Sequence, residues 1–379
     1  MSDLVRQQVA LSAEMIVVKV GTRVLTQAGG VLDQERVAQL AEEIATLVDG
    51  GRKVVLVSSG AVGAGMGQLG LTKRPTDVPH LQAVAAIGQS HLIEAYDRSL
   101  KKYGRHAAQL LLTADGLNDR TRYLNARNTI LTLLEYGAVP IINENDTVSV
   151  AELQLTFGDN DRLAAMVTNL IRAPLLVLLS DVDGLYDGDP RQPGSKLIDT
   201  VPTIDDSIEA LVHDKLTGMS KGGMASKLCA ARMATTSGES VIIANGHTPG
   251  TLSKIVAGEP VGTLFLPQGQ SVRARKRWIG YAARPRGTLT LDSGARRAIA
   301  EQGRSLLAIG IQAVSGEFRK GDVVALVDPH QAEFARGLTN YSSADIQHIL
   351  GLKTDQIADV LGHCPYGEVI HRDNLMLSG

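Results

Sequence analysis

The segment IINENDTVSVAELQLTFGDND, residues 141–161, joins the end of an apolar run to two clusters of amides and carboxylates. The run at 140–142 is typical of a buried parallel strand, and the first polar cluster begins directly after it at Asn143. The second cluster, from Gly158 to Asp161, opens a helical pattern whose first backbone N–H groups can face the same crevice. A plain strand end, loop and helix cap would need only a single Asp or Asn. Seven amides or carboxylates exceed that need, so we predict a functional site here, at the strand ends where open α/β sheets bind ligands.

Composition bounds the class of protein. The chain has 379 residues, enough for two domains, and its formal net charge of −2 argues against a polyanion binder overall. Cys229 and Cys364 are the only cysteines, and they fit neither a disulfide framework nor a zinc site. Because the N-terminal sequence also lacks the blocks of an export signal, we expect a cytoplasmic protein. The uncharged stretch 54–72 carries five glycines, and we interpret it as a strand followed by a flexible glycine-rich loop rather than a membrane span.

Patterns typical of strands and helices alternate as far as residue 266. Asp33 can cap the first long helix, and Gly50-Gly51 can end it. The predicted strands lie at 15–20, 54–57, 108–112, 138–142, 175–179, 241–244 and 263–266, and the later helices near 80–103, 121–136, 160–172 and 222–236. This alternation predicts a three-layer α/β/α sandwich with a mainly parallel sheet.

The composition changes after Pro267, where a polar stretch leads into a basic run at 273–277. Farther on, the short β-like pieces and the helical pattern lie at 288–291, 306–311, 323–327 and around Ala295, Ala298 and Ile299. The boundaries that we predict are a core domain at 1–267, a linker at 268–284, a small mostly-β domain at 285–365 and a C-terminal tail at 366–379.

Further polar groups follow other predicted strands at the same edge of the sheet. Lys19 ends the first strand, Ser59 follows the second and Ser180-Asp181 follows the fifth. A lysine at that edge can neutralise a transferring phosphoryl group, and the glycine turn within 221–227 begins a helix, a natural place for nucleotide phosphates. Taken singly, Lys19 is equally well read as a solvated strand end and the 221–227 segment as a helix start with solvated lysines, whereas a simple turn after Ser59 would hardly need so many glycines. Their conjunction favours phosphate chemistry.

The usual nucleotide and metal motifs do not account for this site. The glycines at 65, 67 and 70 match GxGxxG, but the motif starts late after its strand, and Gly, Gln and Ser at 88–90 stand where an acid is needed. Glycines at 218 and 223 have the Walker A spacing, yet Met224 replaces the required lysine. The Asp-rich turn at 181–187 departs from the EF-hand pattern. Any nucleotide must therefore be bound by another arrangement.

Six motifs together resemble the amino-acid kinase family. They are VVKVGT at 17–22, VSSGAVGAG at 57–65, IINEND at 141–146, FGDND at 157–161, LLSDVDGLYDGDP at 178–190 and KGGMASK at 221–227. Within the family, they are similar to the members that phosphorylate the γ-carboxylate of L-glutamate. ARKRWI at 274–279 and the stretch from about 285 to 363 resemble the PUA domain of many bacterial members. The chain departs from the family pattern at Thr22-Arg23, at Ser226 and in a slightly longer loop at 147–157.

The resemblance implies a kinase that uses ATP and Mg²⁺, bound with the nucleotide, to make L-glutamyl 5-phosphate, the first step toward proline. The implied roles are catalysis by Lys19, Lys227 and Asp161, glutamate binding by Ser59, Asp146 and Asn160, and ATP binding by Lys19, Ser180, Asp181, Lys221, Gly222, Gly223, Met224, Ala225, Ser226 and Lys227. No residue is assigned as a ligand of the metal. L-proline is the implied feedback inhibitor, and we expect a homo-oligomer, either a dimer or a tetramer.

Two alternatives stay open. A family member that acts on another carboxylate, such as aspartate or N-acetylglutamate, would carry the same phosphate motifs, although the PUA-like segment argues against it. A protein that binds or modifies RNA would use that segment together with the basic patch formed by 273–277, Arg284 and Arg286. Because aromatic residues for base stacking are few, we interpret the patch as a solvated linker and do not expect RNA binding to be the main role.

Overall fold

The computed structural model of the chain describes residues 2–27, 29–148, 159–192, 194–212, 223–268, 279, 284–363 and 366–378. The chain divides into two compact units. The first comprises Met1–Ala114 and Leu124–Ser271, and the second comprises Asp115–Tyr123 and Val272–Gly379.

The first unit is built on an eight-stranded sheet with the order β3-β4-β2-β1-β5-β7-β8-β6. Its strands are β1 Met15–Val20, β2 Lys53–Ser58, β3 Ala107–Leu112, β4 Val139–Glu144, β5 Leu175–Ser180, β6 Thr200–Val201, β7 Ser240–Asn245 and β8 Thr263–Phe265. Every pairing is parallel except that between β7 and β8. The prediction of a mainly parallel sheet is therefore confirmed.

Helices connect these strands. In chain order they are α1 Ser2–Ser12, α2 Thr22–Leu25, α3 Gln34–Asp49, α4 Ala61–Leu69, α5 Val78–Lys101, α6 Ala114–Asn118, α7 Arg120–Glu135, α8 Asp159–Ile171, α9 Asp206–Ala210, α10 Met224–Thr236 and α11 Thr251–Val256. Residues 115–123, which form most of α6 and the start of α7, belong to the second unit. On one face of the sheet, Ile16, Val18 and Val20 of β1 share a buried core with α3 and α5. Because strand side chains alternate between faces, Val17 and Lys19 point to the other face, where α8 packs on β1, β2, β4 and β5. The result is the predicted three-layer α/β/α sandwich.

Helix α3 shows why the local predictions succeed. The Asp33 carboxylate accepts hydrogen bonds from the backbone N–H groups of Glu35 and Arg36, as the first turn of a helix requires. The apolar positions of the helix repeat at helical spacing and are buried, and Gly50 ends the helix. Capping and periodicity are local signals, so this helix can be predicted from sequence alone.

The glycine-rich loop predicted after β2 is wrong, because residues 61–69 form helix α4. Glycine disfavours helices, and the sequence alone therefore favours a loop. The reason for the helix lies in α5: a methyl group on Gly65 would overlap the carbonyl oxygen of Val84, and one on Gly88 would overlap that of Ala61. The two helices thus touch backbone to backbone, and this packing outweighs the poor intrinsic propensity.

Smaller differences concern short elements and strand ends. Helices α1, α2, α6, α9 and α11 and strand β6 have no counterpart in the prediction. Strand β4 continues through Asn143 and Glu144, so the polar cluster begins inside the strand rather than after it. These elements carry too few periodic residues to be recognised, or they depend on a neighbouring strand.

The second unit contains a five-stranded sheet with the order β10-β9-β11-β12-β13. Its elements are β9 Gly287–Leu291, α12 Ser293–Ala300, β10 Ile311–Ser315, β11 Val323–Val327, β12 Glu333–Leu338, α13 Ser343–Ile349, α14 Ile357–Leu361 and β13 Leu375–Leu377, with 3₁₀ turns at Ala308–Gly310, Thr354–Gln356 and Arg372–Asn374. Leu289, Leu326 and Ile346 belong to a separate buried core. A small, mostly-β unit with its own core is thereby confirmed.

The predicted C-terminal tail is part of this second unit. Strand β13 pairs with β12, and Val369 and Ile370 are fully buried in the core. The sequence hides this because the strand has only three residues. Of the predicted linker, only residues 268, 279 and 284 are described.

The sequence argued against a membrane span and against a disulfide framework, and the described residues bear on both. Among them, no helix is long and apolar enough to cross a membrane. Cys229 is exposed and forms no disulfide, whereas Cys364 lies outside the described residues.

Replacing Gly88 with alanine tests the contact between α4 and α5. Its methyl group would meet the Ala61 carbonyl oxygen and the Gly65 nitrogen, which are backbone atoms and cannot swing aside. We expect Gly88→Ala to lower the free energy of unfolding by about 3 kcal/mol, measured by urea denaturation. The control is Ala86→Ser on the exposed side of α5, which should change stability by no more than about 0.5 kcal/mol. Equal stability of the two variants would show that the helices do not pack this closely.

Candidate active site

The polar residues predicted at the strand ends lie along one edge of the first sheet. Strands β4, β2, β1 and β5 are neighbours in that order. Asn143 lies near the end of β4, Ser59 directly follows β2, Lys19 lies near the end of β1, and Ser180 ends β5. The strand order therefore places an amide and hydroxyl group on one side, a second polar group on the other, and Lys19 between them.

The centre of the site is a buried carboxylate between two lysines. Lys19 Nζ lies 2.6 Å from Asp161 Oδ1, and Lys227 Nζ lies 3.4 Å from Asp161 Oδ2. The Ser226 hydroxyl also donates to Asp161 Oδ2, at 3.3 Å. The side chain of Asp161 is 1% exposed and each lysine side chain 7% exposed. The structure thus brings together one residue from β1, one from the start of α8 and two from the start of α10.

This cluster carries one more positive charge than negative charge in a place nearly closed to water. Burial raises the pKa of Asp161, but the ammonium groups of Lys19 and Lys227 outweigh it, and the pKa lies below its usual value. Burial lowers the pKa of Lys227, and attraction to Asp161 offsets only part of that effect. The net positive charge of the cluster attracts a further anion at close range, and the low dielectric of the buried site strengthens that attraction. The arrangement suits the stabilisation of an anionic group that is being transferred.

On the β2 and β4 side, a network of amides surrounds Ser59. The Asn160 side chain donates from Nδ2 to Ser59 Oγ at 3.0 Å and to Asn143 Oδ1 at 3.1 Å. Asn143 in turn donates from Nδ2 to Gln89 Oε1 of α5 at 2.8 Å. Asp146, three residues after Asn143, is also buried, and its backbone oxygen accepts a hydrogen bond from Gln82. Ser59 and Asn160, two of the three residues that the resemblance assigns to glutamate, are thus joined to Asn143 in one hydrogen-bond network.

On the β5 side, Ser180 and Asp181 lie beside a cation that the prediction did not use. The Ser180 hydroxyl donates to Asp181 Oδ1 at 3.1 Å, and Arg23 Nη1 lies 2.8 Å from Asp181 Oδ2. Burial raises the pKa of Asp181, while the hydrogen bond from Arg23 leads the contacts that bring it below the usual value. Arg23 occupies one of the positions that depart from the family pattern, so the pattern gave no reason to select it.

The remaining predicted ATP residues belong to the segment before and within α10. Gly223 precedes the helix, and Met224, Ala225 and Ser226 form its first turn. Lys221 and Gly222 lie outside the described residues, as does Gly158, and of Asp159 only the backbone is described.

Besides Arg23, three residues at the site escaped selection from sequence, namely Gln82, Gln89 and Asn143. Asn143 lies in the polar cluster but had no assigned role. Gln82 and Gln89 are seven residues apart on α5, a spacing that returns to the same helix face after two turns. That spacing is a signal, but only contact with the 143–146 segment gives it meaning.

The sequence analysis assigned no protein residue as a metal ligand. Among the described residues, no group of three or more His, Cys, Asp or Glu side chains is arranged to hold a metal ion.

Comparisons with known proteins cover both units. Residues 14–245 match the amino acid kinase family, and residues 287–361 match the PUA domain. A glutamate 5-kinase from Rhodopirellula baltica is 52% identical over 373 residues, which cover 98% of this chain and 96% of the relative. Glutamate 5-kinases from Caldanaerobacter subterraneus subsp. tengcongensis and Pseudomonas putida are 47% and 46% identical, each over 96% of this chain and over 97% and 98% of the relative. The similarity therefore extends over nearly the full length of the chain.

Replacing Asp161 with asparagine tests the central ion pairs. Because two buried ammonium groups would lose their counter-charge, we expect Asp161→Asn to lower the free energy of unfolding by about 3–5 kcal/mol at pH 7. The pKa of Asp161 is lower in the folded chain than in the unfolded one, so its contribution is present at neutral pH and is lost as the pH falls through that lowered value. Denaturation curves at several pH values should therefore show that the difference in free energy of unfolding between the two proteins narrows as the pH falls below about 4.

The exposed carboxylate of Asp206 provides the control for this prediction, and Asp206→Asn should change stability by no more than about 0.5 kcal/mol. A stability difference for Asp161→Asn that is small at pH 7, or that does not narrow in acid, would contradict the prediction.

Proposed function

Because this chain belongs to the amino acid kinase family and, within it, to the glutamate 5-kinases that carry a PUA domain, we propose that it transfers the γ-phosphoryl group of ATP to the γ-carboxylate of L-glutamate. The product is L-glutamyl 5-phosphate, and the reaction is the first step of proline biosynthesis. The observation that carries the proposal is the buried Lys19–Asp161–Lys227 cluster, with an amide-rich region on one side and Ser180-Asp181 on the other.

The chemistry of a carboxylate acceptor fits a site without a general base. A γ-carboxyl group with a pKa of about 4.3 is already ionised at pH 7, so no proton has to be removed before it attacks phosphorus. The obstacle is repulsion between this anion and the negatively charged phosphates. Lys19 and Lys227 supply positive charge where the phosphoryl oxygens pass, and Asp161 keeps both ammonium groups in position.

Glutamate is assigned to Ser59, Asp146 and Asn160. Ser59 accepts a hydrogen bond from Asn160, so its own O–H is turned elsewhere and can be donated to a carboxylate of the substrate. The carboxylate of Asp146 suits the α-ammonium group. This side of the site is next to Lys19 in the strand order, which brings the γ-carboxylate toward the lysines.

ATP is assigned to the β5 side and to the start of α10. Backbone N–H groups in the first turn of a helix favour phosphate, and α10 begins with Met224, Ala225 and Ser226 directly before Lys227. Ser180 and Asp181 lie at the end of the neighbouring strand on the nucleotide side of Lys19. Lys221 and Gly222 remain predicted contacts.

We assign Mg²⁺ to the nucleotide rather than to a protein cage. Mg²⁺ loses its waters reluctantly and is commonly held by substrate phosphates with one or two carboxylates. It supplies charge neutralisation between the β- and γ-phosphates when it is bound. Feedback by L-proline, a dimeric or tetrameric assembly, a cytoplasmic location and a minor role for RNA stay predictions.

The substrate can be tested by trapping the acyl phosphate with hydroxylamine. We expect hydroxamate to form from MgATP and L-glutamate, and not from L-aspartate, N-acetyl-L-glutamate or carbamate. Omitting ATP or adding excess EDTA should abolish the signal. Hydroxamate from another carboxylate would move the assignment to a different substrate, and no signal from folded protein would remove the kinase proposal and favour an RNA-binding role, to be tested by gel shift with structured RNA.

The two lysines should matter for turnover more than for binding. Because they stabilise charge that develops during transfer, we expect Lys19→Ala and Lys227→Ala to lower kcat by about 100-fold or more while the KM for glutamate changes far less. Steady-state kinetics with each substrate varied would separate the two effects. Lys254→Ala, on the short helix α11, is the control and should leave both constants unchanged. Unchanged turnover in both site variants would refute the assignment.

A further inference from the structure

A continuous line of side-chain hydrogen bonds runs from α5 to Ser59. Gln89 Oε1 accepts from Asn143 Nδ2, Asn143 Oδ1 accepts from Asn160 Nδ2, and Asn160 Nδ2 also donates to Ser59 Oγ, over distances of 2.8, 3.1 and 3.0 Å. Ser59 and Asn160 are residues that the proposed function assigns to glutamate. Gln89 has no role in that assignment, yet it is the first member of the line.

The direction of every bond in the line is fixed by a backbone group. The backbone N–H of Glu144 donates to Asn143 Oδ1 at 2.9 Å, and a backbone N–H cannot accept. Asn143 must therefore turn its oxygen toward Glu144 and Asn160, and its NH₂ toward Gln89. Gln89 can satisfy that NH₂ only with its oxygen. Asn160 is likewise compelled to donate to Asn143 and Ser59, so the Ser59 hydroxyl hydrogen points away from this network.

Little water is available to replace a missing partner. Asn143, Asn160 and Ser59 are 2%, 4% and 8% exposed. A buried amide that loses its partner bears the full cost of desolvation. Rotation of Asn143 would set its NH₂ against the N–H of Glu144 and the NH₂ of Asn160, so without Gln89 the amide can find a new acceptor only by shifting, and a shift is passed on through Asn160 to Ser59.

Helix α5 gives Gln89 a rigid base. Its neighbour Gly88 packs against the backbone of α4, and α4 begins two residues after Ser59. On the same face of α5, Gln82 Nε2 donates to the backbone oxygen of Asp146 at 3.1 Å. The helix therefore supports both ends of the 143–146 segment, and the contacts from Ser59 through α4, α5, Asn143 and Asn160 return to Ser59 as a closed ring.

We propose that Gln89 is a positioning residue for the amino-acid substrate: by accepting from Asn143 it holds in place the amide whose orientation the Glu144 N–H selects, and through Asn143 and Asn160 it directs the Ser59 hydroxyl toward glutamate. This inference rests on the proposed function, because it acts on the same site. Gln89 works through Asn143, so its loss affects the affinity for glutamate and leaves the lysines and the nucleotide side unchanged.

The test compares two substitutions of Gln89 that differ in their ability to accept. Gln89→Met has a similar length but only a weak sulfur acceptor, whereas Gln89→Glu keeps an oxygen facing Asn143. We expect Gln89→Met to raise the KM for L-glutamate by about tenfold or more, with kcat and the KM for MgATP within about threefold of the parent. Gln68→Met, at the exposed end of α4, is the matched control and should have parental constants.

Gln89→Glu should raise the KM for glutamate less than Gln89→Met does. The added charge of Gln89→Glu repels an anionic substrate. The two KM values are therefore compared at low salt and again at high salt, because high salt screens that repulsion. A KM for Gln89→Met equal to that of the parent overturns the proposal. So do equal KM values for both variants at high salt, because they would mean that only the shape of the side chain matters. A parent enzyme without activity on glutamate would refute the proposed function instead.

A double-mutant cycle provides a second test if Gln89→Met does not fold. In Asn143→Asp, a carboxylate still accepts from Glu144 and Asn160, and Gln89 can rotate to donate. Combining Asn143→Asp with Gln89→Glu would set two carboxylates against each other. The KM for glutamate should then rise by more than the product of the two single effects. A rise equal to that product overturns the proposal.

Discussion

The site depends on one buried carboxylate that holds two buried ammonium groups. Moving three ionised groups out of water is costly, and only close pairing makes it tolerable. Lys19, Asp161 and Lys227 come from three elements that are far apart in the chain, so the pairing also requires β1, α8 and α10 to meet at one point. In the proposed function, the net positive charge that remains attracts the transferring phosphoryl group. The same three side chains would then serve both stability and catalysis.

In the proposed function, the order of the strands separates the region assigned to glutamate from the region assigned to ATP. With β1 in the middle, the strands on one side, β2 and β4, contribute Ser59 and Asn143, and the strand on the other side, β5, contributes Ser180. An acceptor and a donor of a phosphoryl group must approach phosphorus from opposite sides. In this parallel sheet, β1 carries Lys19 and lies between strands with polar ends, and this order alone provides that separation.

The sequence was informative wherever a signal is local. The apolar periodicity of α3, the buried strands and the polar groups at their ends all follow from short stretches of chain, and the family motifs supplied roles for Lys19, Asp161 and Lys227. The sequence was misleading at α4, because a glycine in a helix is explained only by the partner that it approaches, here Val84 and Ala61 across the α4–α5 contact. Gln89 and Arg23 were missed for a similar reason: their partners, Asn143 and Asp181, are far away in the chain.

The ring that joins Ser59, α4, α5, Asn143 and Asn160 has a consequence for how this pocket could change during evolution. Each member satisfies its neighbour's hydrogen bond or fills its neighbour's space, so the benefit of a substitution at one position depends on the residues present at the others. Strong epistasis follows, and sequential single substitutions would pass through poorly functioning intermediates. A library aimed at a new amino-acid substrate should therefore vary residues 59, 88, 89, 143 and 160 together.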